Sequence, residues 1–210
     1  MTSQEVITYR QKPVKIIRDN KTLEFFRDEN LMYVIKFLKN GPMSIQDLEN
    51  AFTNIGVEKS DKTIYRYLHK LIQAKLVAKA GKRVSSVKED DLVSETIYLR
   101  TAKAFITVQP IDLRECKGSA DCPVWEVTRI LIGQLIGNSG DAEKFAEFAS
   151  SVDREKDEIV IKLFESADED TLDKIADLDW QGINHVLQFA GWLALSTKMD
   201  IGKELRKSYD

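Results

Sequence analysis

The stretch that decides the fold is SDKTIYRYLHKLIQAKL, residues 60–76. At about 100° per residue, its aliphatic positions collect on one side of a helix. The opposite side carries cations and hydrogen-bond donors, namely Lys62, Arg66, His69, Lys70 and Gln73, flanked by Thr63 and Tyr65. Ser60 stands where an N-cap residue is expected. The pattern predicts a helix to about residue 74, with one face in a core and the other in solvent.

Two further helices are predicted before this one. Apolar positions from Leu23 to Leu38 follow a helical period, and Asn40-Gly41-Pro42 ends that helix because proline cannot continue it. Ser44 followed three residues later by Asp47 resembles a capping box and opens the second helix, which Gly56 closes. Residues 24–74 are therefore expected to hold three helices with short connections.

A strand hairpin is predicted after the third helix. Residues 76–80 and 94–100 have strand character, Gly81-Lys82-Arg83 is expected to turn, and residues 85–91 form a polar tip. A helix is expected to restart at Thr101 and run through Phe105. Three helices followed by a hairpin is the order of a winged helix-turn-helix, with the hairpin as the wing.

The rest of the chain is assigned around this domain. Residues 1–23 are polar and form an N-terminal arm, in which 14–17 is either a short strand or a contact to a partner. Residues 108–124 hold two prolines and are expected to be a linker. Helices are predicted over 125–136, 142–166, 168–177, 180–198 and 202–209. The expected fold is mainly α: a winged helix-turn-helix over 24–107, then an α-helical dimerisation or effector domain over 125–210.

Charge is distributed unevenly along the chain. The formal net charge is −3, yet residues 60–88 carry eight cations and one acid, a local +7. Residues 141–179 carry fourteen acids and five cations, a local −9. A basic face joined to an acidic body orients a protein on DNA and repels the wrong side. The basic region coincides with the predicted third helix and hairpin.

These residues predict contacts to duplex DNA. The major groove admits a helix, and base contacts come mainly from the N-terminal part of the recognition helix. The expected DNA-binding residues are Ser60, Lys62, Thr63, Tyr65, Arg66, His69, Lys70, Lys82 and Arg83. Arg66 is the candidate for a bidentate contact to guanine, and Lys82 and Arg83 are expected to contact phosphate or the minor groove.

Four segments carry a family resemblance. GPMSIQDL (41–48), SDKTIYRYL (60–68), LV (76–77) and IYLRTAK (97–103) resemble archaeal ArsR-like winged helix-turn-helix regulators over residues 25–107. The resemblance implies DNA binding as a dimer, recognition by the helix at 60–70 and backbone contact by the wing. The cysteine-containing sensor motif of the metal-sensing members is absent from residues 60–74, so no metal or other cofactor is expected.

The predicted function is sequence-specific DNA binding that regulates transcription. The alternative is a winged helix that docks protein in a transcription or chromatin complex, which has no need of a basic third helix. An enzyme is not expected, because the chain lacks a phosphate loop, GxSxG and HExxH and has two histidines. Cys116 and Cys122 lack CxxC spacing and are expected to be reduced linker thiols, with a redox or soft-metal role as the alternative.

The C-terminal half is rich in aromatic residues, which belong to a core, a subunit interface or a pocket for a small-molecule effector. Helical extensions of winged-helix regulators commonly dimerise, so a homodimer is expected. The chain opens without an apolar signal segment, and its most apolar stretch, residues 183–195, is shorter than the roughly 20 residues of a membrane span. A cytoplasmic protein with no membrane partner is expected.

Overall fold

The computed structural model describes residues 3–88, 91–107 and 122–209. The chain divides into two units, Met1–Ile106 and Thr107–Asp210. The N-terminal unit mixes helices and strands, and the described residues of the C-terminal unit from Pro123 onward form helices and their connections. None of the helices in the described ranges is both long enough and apolar enough to cross a membrane.

The described residues of the N-terminal unit place four helices between two short strands and three further strands. In chain order it contains β1 (Ser3–Ile7), β2 (Lys12–Ile17), α1 (Asn20–Phe25), α2 (Glu29–Phe37), α3 (Ile45–Asn54), α4 (Asp61–Gln73), β3 (Val77–Lys88), β4 (Asp91–Arg100) and β5 (Ala102–Thr107). The predicted helices at α3 and α4 are confirmed, including the capping box between Ser44 and Asp47. The single helix expected from Leu23 is two helices, because Asp28 accepts from the N–H groups of Asn30 and Leu31 and starts a new helix.

The main sheet has the order β1-β3-β4, with both pairings antiparallel and β3 in the centre. The turn predicted at Gly81-Lys82-Arg83 is wrong, since β3 runs through these residues to Lys88. A Cβ on Gly81 would lie 1.9 Å from the carbonyl oxygen of Val6, and the register shifts between Lys79 and Gly81. The glycine therefore marks a bulge where the backbone of β1 approaches closely. Glycine within a strand commonly indicates such a bulge or close approach, and here it does not indicate a turn.

The helix predicted from Thr101 is also wrong. Residues 102–107 form β5, which pairs with β2 in a two-stranded sheet. Burial alternates along it, with Ala102, Ala104 and Ile106 buried, so the period-2 pattern prevails over the helix propensity of alanine and lysine. In the segment predicted to be an N-terminal arm, β1 and β2 each join one of the two sheets and α1 begins at Asn20, so its described residues are part of the N-terminal unit.

The core of the N-terminal unit lies where α2, α3 and α4 meet. Phe52 is fully buried, and its ring centroid lies 5.2 Å from that of Phe37 and 6.2 Å from that of Tyr33. Aliphatic side chains from all three helices surround these rings, including Leu31, Val34, Leu48, Ile64, Leu68 and Leu71. This packing fixes the rotation of α4, because its entire apolar side is committed to the core.

The C-terminal unit contains α5 (Pro123–Ile136), α6 (Ala142–Ser166), α7 (Glu169–Ala176), α8 (Trp180–Ser196) and α9 (Ile201–Arg206). These helices are confirmed to within three residues of each predicted end. α6 packs against α8, where a Cβ on Gly191 would lie 2.8 Å from a methyl carbon of Val160. α5 packs through Trp125 and Ile132 on a cluster that includes Phe145 and Tyr209.

Cys122 precedes α5 at its N-cap position. The linker was expected to extend to 124, but the helix begins at Pro123, a residue type favoured in the first turn. Cys122 is buried and disulfide-bonded, so the expectation of a reduced thiol there is wrong. Cys116, the other cysteine of the chain, and most of the predicted linker lie outside the described residues.

Candidate nucleic-acid interface

The outer face of α4 gathers most of the residues predicted to bind DNA. Ile64, Leu68 and Leu71 on its inner face are at most 1% exposed. The exposed residues are Lys62, Tyr65, Arg66, His69, Lys70 and Gln73, and Thr63 is half-buried beside them. The same residues that the sequence places on one side of a helix therefore lie on one solvent-facing surface.

The cations on this face are available to a ligand. In the part of the chain that the structure describes, no ion pair or hydrogen bond engages the side chains of Lys62, Arg66 or Lys70. Their spacing of four residues places them on successive turns of the helix. An unpaired ammonium or guanidinium retains all its donors for phosphate or base-edge acceptors.

The N-terminal end of α4 presents hydroxyl groups. Ser60 occupies the N-cap position as predicted, but its hydroxyl makes no capping bond and instead lies 3.1 Å from the hydroxyl of Thr63. The side chain of Tyr65 is 54% exposed. It lies near Tyr98, whose pKa is raised by its own burial first and by the neighbouring Tyr65 second. The backbone of Tyr98 bonds reciprocally with that of Met43, at 3.0 and 2.8 Å, which ties β4 to the segment entering α3.

Arg83 does not share the availability of the α4 cations. Its guanidinium donates to Glu5 of β1 at 2.9 and 2.7 Å and to Asp47 of α3 at 2.6 Å. Asp47 also accepts the N–H of Ser44 at 2.8 Å. Burial acts to raise the pKa of Asp47, but the bonds from Ser44 and Arg83 outweigh it and the pKa is lowered. Arg83 thus connects the hairpin to the first turn of α3.

Lys82 has different surroundings although it is the next residue along β3. It is exposed and lies between Val6 of β1 and Thr96 of β4 in the sheet register. Successive side chains of a strand point to opposite faces, so Lys82 and Arg83 do not act as a pair. Of the two hairpin residues predicted to contact DNA, Lys82 is exposed to solvent, whereas Arg83 is engaged inside the N-terminal unit.

A pair of acids also lies beside α4, and no local sequence pattern predicts it. Glu49 of α3 lies beside Asp61 in the first turn of α4, and the pKa of Glu49 is raised by its interaction with the Asp61 carboxyl group and by burial. The amide of Gln46 donates to Glu49 at 3.0 Å. The two acids are twelve residues apart, so only the packing of α3 against α4 brings them together. Negative charge is favourable at a helix N-terminus.

The remaining sequence candidates are dispersed. His185 is an exposed residue of α8 whose ring stacks on Phe189, with the ring centroids 5.7 Å apart. Within the described ranges, no cluster of three or more His, Cys, Asp or Glu residues is placed to hold a metal ion. A cavity of about 340 Å³ in the C-terminal unit is lined by charged, polar and aliphatic residues with one aromatic residue, Phe148. It does not gather the aromatic residues expected to line an effector pocket.

Comparison with known proteins identifies no family. No protein-family model matches the chain, and no curated protein matches it. The likeness to archaeal ArsR-like regulators, carried by short segments within residues 25–107, therefore stays a prediction. The function is inferred below from the geometry and charge of the chain's own side chains.

Proposed function

We propose that the chain is a sequence-specific DNA-binding transcription regulator whose N-terminal unit is a winged helix-turn-helix. In this proposal α3 and α4 are the helix-turn-helix, and the hairpin of β3 and β4 is the wing. The observation that carries it is the outer face of α4, where Lys62, Arg66 and Lys70 are exposed and without ion-pair partners in the described residues. The helix is about 20 Å long and of a width that the ~12 Å major groove admits.

Each residue on this surface has a proposed role. Arg66 donates in bidentate fashion to O6 and N7 of a guanine. Ser60, Thr63 and Tyr65 contact base edges or phosphates near the N-terminal end of α4, and His69 lies further along the groove. Lys62 and Lys70 neutralise phosphates, as does Lys82 from the hairpin. Arg83 positions the hairpin against α3 through Glu5 and Asp47.

The C-terminal unit is proposed to join two chains. Two recognition helices then meet a pseudo-palindromic site, with half-sites about one helical turn of DNA apart. The surplus of acids over cations between residues 141 and 179 keeps this unit away from the phosphates. DNA binding and dimerisation are thereby assigned to different units of the chain.

A second candidate is supported by the acid pair. Glu49 and Asp61 place negative charge beside the N-terminal end of α4, where a basic protein segment would be attracted and a phosphate repelled. A winged helix that docks a protein partner in a transcription or chromatin complex would use this charge. Such a partner would not bind the three exposed cations of α4, so DNA binding is the preferred function.

A fluorescence anisotropy titration tests the proposal. The full chain is titrated into a duplex from its own upstream region and into a scrambled duplex, at several salt concentrations. Tighter binding to the upstream duplex and a linear fall of log affinity with log salt are expected. A Lys62→Gln/Lys70→Gln variant should bind more weakly, whereas the matched variant Lys144→Gln/Lys162→Gln in the acidic unit should not. Absence of binding to either duplex at low salt would refute the proposal and favour a protein partner.

A further inference from the structure

The outer face of α5 has the composition of a protein interior. Its exposed large residues include five aliphatic side chains, here called the α5 stripe: Val124, Val127, Ile130, Leu131 and Leu135. At 100° per residue they occupy an arc of about 140°, and the stripe is about 17 Å long. Leu131 is 60% exposed and Leu135 is 84% exposed. Gly133 is the helix's one buried residue, so α5 points more apolar surface outward than inward.

This arrangement is the reverse of an ordinary surface helix. Such a helix buries its apolar stripe and exposes charged residues, and a helix that is apolar on all sides is normally buried. α5 has two charged residues, and neither lies within the stripe. Arg129 donates to the carbonyl oxygens of Ser139 and Gly140 at 2.5 and 3.0 Å, and Glu126 lies at the edge of the arc.

We infer that a second copy of this chain covers the α5 stripe, with two α5 helices packed antiparallel about a two-fold axis. This interface would hold together the dimer of the proposed function. The inference rests on the proposed function only in that DNA recognition by two helices requires a dimer. A two-fold axis brings each surface against itself, so a charge in the stripe close to the axis would face a like charge. An uncharged aliphatic stripe is complementary to itself. In this packing Val124 of one copy lies near Leu135 of the other.

The size of the stripe fits such an interface. Aliphatic side chains are somewhat smaller than aromatic ones, which bury ~150–250 Å² each, so the five partly exposed residues present on the order of 400 Å². A stable interface buries about 800 Å² per partner, and about 65% of a homodimer interface is apolar. The stripe therefore supplies most of the apolar area that a dimer needs, and neighbouring polar residues supply the rim.

Two exposed aromatic residues of α8 are less suited to this role. On α8, Phe189 stacks on His185, and the ammonium of Lys156 lies 5.2 Å from the ring of Trp192. These aromatic residues already have polar neighbours within the unit. Leu193 of α8 is 54% exposed, close to the value for Leu131, and offers a matched control.

Sedimentation of the full chain tests the inference. The wild type is expected to be a dimer that dissociates reversibly on dilution. Leu131→Glu/Leu135→Glu should raise the dimer dissociation constant by at least about 100-fold, because the carboxylate at position 131 lies close to its like-charged mate near the axis and the carboxylate at position 135 is set against an aliphatic side chain of the other copy. Leu193→Glu should leave the constant unchanged. Far-UV circular dichroism should show unchanged helix content, since both substituted leucines are exposed. If the double variant does not fold, Leu131→Asn replaces it and is expected to raise the dimer dissociation constant about 10-fold.

Several outcomes would overturn the inference. They are a monomeric wild type at all concentrations, a dimer that the α5 substitutions leave intact, and a dimer lost in Leu193→Glu but not in the α5 variants. The proposed function fails separately. A monomeric chain that still binds duplex DNA would contradict the α5 interface alone, whereas a dimer dissociated by the α5 substitutions that does not bind DNA would contradict the proposed function alone.

Discussion

α4 and α5 are helices of nearly equal length, 13 and 14 residues, whose outer faces differ completely. α4 buries Ile64, Leu68 and Leu71 and exposes cations and hydrogen-bond donors. α5 buries little and exposes aliphatic residues. An ordinary surface helix exposes a mixture of acids and bases, whereas the outer face of α4 is mainly cationic and that of α5 is uncharged and aliphatic. Under the two proposals above, each exposed face is matched to a different kind of partner: a polyanion for α4 and an apolar, self-complementary surface for α5.

The largest effect is expected from the core beneath α4. Phe52→Ala removes a fully buried ring that packs on Tyr33, Phe37 and Tyr67, and should lower the free energy of unfolding of the N-terminal unit by about 3–5 kcal/mol. All three tryptophans, Trp125, Trp180 and Trp192, lie in the other unit. The part of the far-UV circular dichroism transition that comes from the N-terminal unit should therefore move to lower temperature while the tryptophan fluorescence transition stays. An equal shift of both transitions would show that the two units unfold together.

A smaller effect is expected at the centre of the α4 face. Arg66→Ala should weaken binding to the specific duplex by about 1–3 kcal/mol and relax the preference at one base position. Arg66→Lys retains the charge but not the planar fork, so it should restore non-specific binding more than specific binding. Anisotropy on specific and scrambled duplexes measures both. A loss of equal size on all duplexes would rule out base recognition by Arg66.

Neighbouring residues of β3 provide the next comparison. Lys82→Ala should weaken binding to all duplexes alike and lower the slope of log affinity against log salt by about one, because one phosphate contact is lost. Arg83→Ala should leave that slope unchanged. It should instead lower the melting temperature of the N-terminal unit, since Glu5 and Asp47 lose their partner. A reduced slope for Arg83→Ala with an unchanged melting temperature would reverse the two assignments.

Acidification should weaken the Arg83 contact. The pKa of Asp47 is lowered in the folded chain, so its contribution to stability is present above its unfolded pKa and is lost as pH falls through the lower, folded value. The melting temperature of the wild type should therefore fall more steeply with acidification than that of Asp47→Asn. Identical pH profiles for the two proteins would mean that Asp47 titrates as it does in the unfolded chain.

The smallest effect is expected from the acid pair. Glu49→Gln removes one of two neighbouring carboxylates beside the proposed DNA surface and should tighten binding less than about fivefold. The pKa of Glu49 is raised, so the wild type should approach the affinity of the variant as pH falls and Glu49 gains a proton. Titrations across this pH range measure the convergence. Weaker DNA binding by Glu49→Gln would argue that the pair supports α4 without repelling phosphate.

The parts of the structure with local signals were predictable from sequence. The capping box of Ser44 and Asp47 and the four-residue spacing of Ile64 and Leu68 fix α3 and α4 without knowledge of the rest. The exposed cations of α4 follow from the same periodicity. The helices of the C-terminal unit were likewise predictable, because α6 to α9 each begin after a capping aspartate and α5 to α9 all carry apolar residues at helical spacing.

Features that depend on distant pairing were not predictable. Gly81 suggests a turn until β1 is known to lie against it, and the segment after Thr101 suggests a helix until β2 pairs with it. Arg83 seemed as available as Lys82 because its partners, Glu5 and Asp47, are 78 and 36 residues away in the chain. The exposure of the α5 stripe was missed for a related reason: apolar periodicity alone does not say which side faces the core.

Lysine footprinting tests the central claim most directly. The full chain is treated with an amine-reactive reagent with and without saturating duplex, and modification is measured by mass spectrometry. DNA should protect Lys62, Lys70 and Lys82 while Lys144, Lys162 and Lys174 of the acidic unit, which are also exposed, react equally in both samples. Bound DNA that leaves Lys62 and Lys70 as reactive as before, or that protects the acidic unit instead, would contradict recognition by α4.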